Sequence, residues 1–269
     1  MGRASGLLAG LCLAVWALAS PAWADFSACE SATATPDKTE QIRLYSLCLN
    51  KGGLVPEDRT GAYNNRGVDY MATGDLDKAI ADFDAAIQND PLWGSSYLNR
   101  GRIYLGRGDL AAAEADFSKA AVLSPSRVRP QGFLYRGQAR LLRGDYPDAI
   151  ADFDAAIRRD PKLADAYNAE ARLLAMCPDA ACRNGPKAVE LALKLVGLKD
   201  DWLSHDTLAA AYAEAGRFED AVREQSRAIE MAGAAGVAAD RVGLATRLAA
   251  YQKGSPYHAK PASGAAAGG

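Results

Sequence analysis

The chain has 269 residues, 49% of them apolar, and its 31 basic and 33 acidic groups leave a net charge of −2. So even a balance excludes the polycationic surface of a nucleic-acid binder and argues against docking to an anionic membrane. Alanine recurs along the whole chain and favours helix over sheet.

Met1–Ala24 carries one charge, Arg3, followed by an apolar run from Leu7 to Ala19. That run is about 13 residues, short of the roughly 20 that span a bilayer. Ser20-Pro21 breaks it and Ala22-Trp23-Ala24 follows, the pattern of a secretory signal peptide cleaved after Ala24. Lipidation is disfavoured: bulky Leu11 precedes Cys12, and Phe26-Ser27-Ala28 before Cys29 fits a lipobox poorly. The reading is an exported chain, periplasmic in a bacterium with two membranes, without a membrane span after cleavage.

Residues 25–59 form a leading segment. Asp25–Pro36 is polar and expected to be irregular, and Thr39–Lys51 has helical spacing, with Asp37 or Thr39 as a cap and Gly52-Gly53 as a stop. A single helix here is expected to cap the repeats that begin at residue 60.

From residue 60 the chain is repetitive. Ala81–Pro91 reads ADFDAAIQNDP, Ala115–Pro125 reads ADFSKAAVLSP and Ala151–Pro161 reads ADFDAAIRRDP, with the closing prolines 34 and 36 residues apart. A period near 34 points to stacked helical hairpins. The units run over residues 60–93, 94–127, 130–163, 164–200 (degenerate) and 202–233. The first places helices at Ala62–Ala72 and Asp77–Gln88. Gly74-Asp75, Gly108-Asp109 and Gly144-Asp145 make the turns, glycine taking the left-handed position and aspartate starting the next helix as a cap. The fourth unit has helices at Ala164–Met176 and Pro186–Leu198 around an enlarged connector, CPDAACRNGP. Residues 234–253 contain a closing helix, Val237–Gln252, and residues 254–269 read as a disordered Gly/Ala-rich tail.

Tyr63, Gly67, Tyr70, Ala79, Phe83, Ala86 and Pro91 recur as Tyr97, Gly101, Tyr104, Ala113, Phe117, Ala120 and Pro125, and the third unit departs at Arg140. This set resembles the signature of tetratricopeptide repeats (TPR). The resemblance implies an all-α, right-handed superhelix of four to five hairpins with flanking capping helices. It also implies a concave groove, lined by the first helices, that holds an extended peptide or a partner helix. Carried onto this sequence, the groove positions are Asn64, Val68, Leu98, Arg102, Leu134, Gln138, Asn168 and Arg172. Asn65 and Asn99 fit the family's backbone-anchoring or ligand-facing asparagines. Residues 126–162 carry 8 basic and 5 acidic groups, and with Arg102 and Arg172 flanking them an acidic or C-terminal-carboxylate ligand is expected. The Lys/Asn set of family members that clamp a terminal carboxylate has no counterpart here.

Arg66, Arg100 and Arg136 each stand sixteen residues before Asp82, Asp116 and Asp152, while the fifth unit has Leu208 and Glu224. Planar guanidinium and carboxylate groups suit a cross-link between the two helices of a hairpin, so these are read as structural ion pairs. Without the leader, Cys29, Cys48, Cys177 and Cys182 remain. An even count in an exported chain suggests disulfides. Of three pairings, Cys29–Cys48 with Cys177–Cys182 is favoured because each joins sequence neighbours. Zinc is the alternative, but there is no CxxC and the two histidines, His205 and His258, show no ligand spacing. No catalytic motif is present. The sequence thus reads as a non-catalytic protein-interaction scaffold of the cell envelope that needs neither cofactor nor metal. A self-associating structural protein is the alternative.

Overall fold

A computed structural model describes residues 22–51, 53–123, 129–236 and 241–260. Within these residues there are thirteen α-helices and no strand. The signal-peptide assignment for residues 1–21 and the tail beyond 260 lie outside the described residues, as do residues 237–240 of the expected closing helix. No described helix is long and apolar enough to cross a membrane.

The helices pair in chain order: α1 (Ala22–Ala34) with α2 (Lys38–Lys51), α3 (Pro56–Thr73) with α4 (Leu76–Asn89), and α5 (Gly94–Gly106) with α6 (Leu110–Leu123). Next come α7 (Arg129–Arg143) with α8 (Tyr146–Arg159), α9 (Ala164–Met176) with α10 (Gly185–Leu198), and α11 (Trp202–Glu214) with α12 (Phe218–Ala234). Helix α13 (Arg241–Gln252) closes the row against α12. Each hairpin packs on its sequence neighbours, so the architecture is an α-solenoid.

Three expectations change. The leading segment is a two-helix hairpin, because Asp25–Pro36 is largely helical, with Cys29 in α1 bonded to Cys48 in α2 across Cα atoms 5.6 Å apart. Helix α3 starts at Pro56, well before Ala62: proline fits the first helical position, and Glu57 and Asp58 favour a helix N-terminus. The described start of the tail is tied to the array, since residues 255–260 form neither helix nor strand and the Ala259 N–H donates to the Met176 carbonyl at 2.8 Å.

The turns share one plan. Gly74 takes φ of 86°, its N–H donates to Met71 O and the Asp75 N–H donates to Tyr70 O, closing the helix end. Asp75 does not cap α4 with its side chain, which instead accepts from Lys78 Nζ at 3.0 Å, whereas Asp109 does accept the Ala112 N–H. In the core, Phe83, Phe117 and Phe153 are fully buried, each lying on a glycine of the preceding helix. A Cβ on Gly67, Gly101 or Gly137 would stand 2.7, 2.8 or 2.6 Å from the ring.

Beside each such glycine an arginine clamps the hairpin. Arg66 Nε and Nη2 donate to Asp82 at 2.7 Å each. Arg100 donates to Asp116 at 2.8 and 2.7 Å, and Arg136 to Asp152 at 2.9 and 2.6 Å. The remaining Nη1 reaches back to the previous hairpin, to Ser46, Asp84 and Ser118 respectively. Aromatic rings flank two of the guanidiniums, Tyr63 and Tyr70 around Arg66 and Tyr97 and Tyr104 around Arg100. Arg140, where the pattern wants an aromatic, joins the same network by bonding Glu114 and Asp152.

The last two hairpins depart from this plan. Glu170 occupies the arginine's place on α9 and is almost wholly buried, with no partner for its Oε2. Burial first, and then the charge of Asp154, pushes its carboxyl up to about 7. On α12, Glu224 stands in the aspartate's place while Leu208 takes the arginine's, and it turns instead to His205, whose Nδ1 lies 2.9 Å away while its Nε2 meets Asp200 at 2.7 Å. Helix α11 is buried on all sides from Ser204 to Ala213. Its Asp206 accepts from Arg172 of α9, Arg247 of α13 and Gln225 of α12. Cys177 and Cys182 are bonded across the connector, their Cα atoms 6.2 Å apart.

Two outcomes test this scheme. Asp82→Ala leaves Arg66 mostly buried without its carboxylate and lowers stability by about 3 kcal/mol in urea unfolding, while Arg66→Leu/Asp82→Leu recovers part of the loss. Between pH about 4.5 and about 7 the folded chain holds a proton on Glu170 that the unfolded chain has released, so this residue makes stability fall as pH rises. The urea midpoint of Glu170→Gln therefore gains on that of the wild type as pH is raised through this window. A constant difference would show that Glu170 is not protonated in the fold.

Candidate functional site

The first helices of successive hairpins are the surface on which the sequence places a groove, and their side chains divide along the array. In the N-terminal half, Asn64 is buried and its Oδ1 accepts from Ser96 Oγ at 3.2 Å and Asn99 Nδ2 at 3.3 Å. Its Nδ2 donates to Asn65 Oδ1, and Asn65 Nδ2 donates to the Tyr45 hydroxyl at 3.2 Å. These asparagines join α2, α3 and α5 to one another. Leu98 and Leu134, expected on the groove, are 6% and 3% exposed and belong to the core, because the small residues beneath them let adjacent hairpins close over them. Val68 and Arg102 remain exposed, and the Arg102 guanidinium lies 5.6 Å from the Tyr135 ring.

In the C-terminal half, Gln138, Asn168 and Arg172 come together. They line a cleft of about 320 Å³ between α7 and α9, with an apolar wall of Leu141, Leu173 and Met176. Cys177, Pro178 and Ala259 complete it. Two of these polar side chains are held by α11: Thr207 Oγ1 donates to Asn168 Oδ1 at 2.7 Å, and Arg172 Nη1 donates to Asp206 Oδ2 at 2.7 Å. Asp206 is fully buried and serves two guanidiniums, accepting from Arg172 and from Arg247 of α13. What the cleft offers is apolar area with a few fixed hydrogen-bonding groups, the usual composition of a recognition site.

Sequence reasoning missed Leu141, Leu173, Met176 and Ala259. The first three stand off the repeat positions assigned to the groove, and nothing else in the sequence marks them. Ala259 had one neighbouring signal, the isolated aromatic Tyr257 in a stretch otherwise rich in small residues. A second cleft of about 380 Å³ lies at the N-terminal end, lined by Tyr45, Glu57, Asp58, Asn65 and Trp93 among others. Among the described residues, no three His, Cys, Asp or Glu side chains gather as a metal site.

Known proteins share this architecture. The sequence matches the tetratricopeptide repeat over residues 64–128, 131–181 and 202–224. No curated protein matches it. Among solved structures, a tetratricopeptide repeat protein from Parabacteroides merdae is 17% identical and superposes with a TM-score of 0.62, covering 78% of this chain and 80% of that one. MamA is 22% identical with a TM-score of 0.54, over 66% of this chain and 93% of its own. YrrB, described as a TPR protein with an unusual peptide-binding site, is 15% identical with a TM-score of 0.54, over 70% and 91%. The repeat matches span a little over half of the residues, and the chain belongs to the tetratricopeptide repeat proteins.

Proposed function

We propose that this protein is a non-catalytic interaction scaffold that holds an extended segment of a partner protein in the cleft between α7 and α9, and that it works outside the cytoplasm in the cell envelope. The observation that carries the reading is the convergence of Gln138, Asn168 and Arg172, each from the equivalent face of a first helix, on an open and largely apolar cleft. The Asn168 and Arg172 side chains are locked by α11 before any ligand arrives, which lowers the entropy cost of recognition. The peptide-binding site named for YrrB agrees with this use of the fold. Export is supported by the leader-like Met1–Ala24 and by two close cysteine pairs, since disulfides persist in oxidising compartments.

Binding is tested with a random peptide display library selected on the intact protein. The best binder is expected to lose at least tenfold in affinity on Gln138→Arg or Leu141→Arg, with both variants still folded by circular dichroism and the second melting lower because Leu141 also packs on the core. A selected peptide that binds all three proteins equally places the site elsewhere. Export is tested by mass spectrometry of the chain produced in a two-membrane bacterium: the N-terminus is expected at Asp25, with four cysteines that alkylate only after reduction. A chain that keeps Met1–Ala24 and alkylates freely would rule out the envelope assignment.

A further inference from the structure

Residues 255–260 leave the end of α13 and run across the C-terminal ends of α9 and α11. Three consecutive residues make three different contacts. Tyr257 packs against the apolar cluster shared by α9, α10, α11 and α12. His258 Nε2 lies 2.7 Å from Glu214 Oε2 at the end of α11. The Ala259 N–H donates at 2.8 Å to the carbonyl of Met176, the last residue of α9. The final carbonyls of a helix have no partner within it, so α9 presents an acceptor ready for a passing strand. Glu214 is likewise held in place: its Oε1 meets Arg183 Nε at 3.2 Å, and Arg183 Nη1 donates to the Cys177 carbonyl at 2.9 Å. The disulfide connector, the end of α9 and the end of α11 thus form one recognition edge, and beyond Ala259 it opens into the cleft lined by Gln138 and Arg172.

We propose that this edge is a docking site for an extended segment carrying an aromatic residue, a hydrogen-bond-donating side chain and a small residue in succession, and that Tyr257-His258-Ala259 occupies it in cis. A partner segment of the same chemistry then gains the adjoining cleft by displacing the chain's own tail. This rests on the peptide-scaffold reading above and adds to it the ligand class and a built-in competitor. The segment joins α13 through about four residues, and so short a tether sustains an effective concentration on the order of millimolar. A free peptide limited to these three contacts cannot displace it at micromolar concentration. Recognition in trans needs either contacts in the cleft beyond Ala259 or release of the tail.

The test uses a labelled synthetic peptide, KGSPYHAK, the sequence of Lys253–Lys260, titrated by fluorescence anisotropy into the full chain and into Tyr257→Ala/Ala259→Pro. The alanine removes the aromatic and the proline removes the donated N–H. The double variant is expected to bind the peptide at least tenfold more tightly than the wild type, and a peptide with the same two changes is expected not to bind it. Ala259→Pro alone gives the same direction if the double variant melts early. Equal binding by wild type and variants, or binding by none of them, overturns the inference. Wild-type affinity that rises on dilution would place the tail on a neighbouring copy and overturn the cis arrangement. If the library-selected binder keeps its cleft dependence while KGSPYHAK fails, the tail inference falls and the scaffold reading stands; if both fail, both fall.

Discussion

The structure depends on a guanidinium set beside a glycine. In three consecutive hairpins an arginine lies next to the one residue without a Cβ, bonds an aspartate of the facing helix with two nitrogens and reaches the previous hairpin with the third. One planar group therefore closes a hairpin and ties it to its neighbour. The phenylalanine lying on the glycine fixes how closely the helices approach, and that distance keeps the bidentate geometry within reach. Charge, packing and chain conformation meet at the same point, so none of the three tolerates change by itself.

Most of this was legible because the partners recur at fixed spacing. Arg66 and Asp82 are sixteen residues apart, as are the next two pairs, and the glycine, alanine and phenylalanine places repeat with them. The repeat also made the fourth unit recognisable as irregular. Where legibility failed, the contacts were long-range and unrepeated. Asn64 bonds Ser96 and Asn99 of the next hairpin, and nothing in its own neighbourhood separates that use from an exposed asparagine. Leu98 and Leu134 lie on the helix face assigned to the groove, yet the closeness of adjacent hairpins covers them. The tail was read from composition, which correctly finds little apolar surface in it. Composition cannot register one aromatic and one backbone N–H meeting groups placed by α9 and α11.

The charge reading shows the same limit. A local excess of arginines suggested an acidic ligand, but charges act through their immediate partners. Arg136 and Arg140 are engaged by Asp152 and Glu114, and Arg172 shares Asp206 with Arg247. The residues that look most available in the sequence are among the most engaged in the fold. The cleft itself presents mostly apolar area with a few fixed polar groups.

Glu170 interrupts the row of clamps next to that cleft. In a linear array whose hairpins pack on their sequence neighbours, a unit without its clamp leans on apolar packing instead. The row of clamps ends with α8, and the buried core carries on across that point: Leu134, Phe153 and Ala156 share one cluster with Ala166 and Leu173 of α9. A second cluster begins in α9 and runs through α12 to Tyr251. The cleft lies over this change of plan, with Gln138 and Leu141 on α7 and Asn168, Leu173 and Arg172 on α9. The position that costs the array a clamp is thus where its polar side chains turn from closing hairpins to facing an open surface, backed by Thr207 and Asp206 of α11.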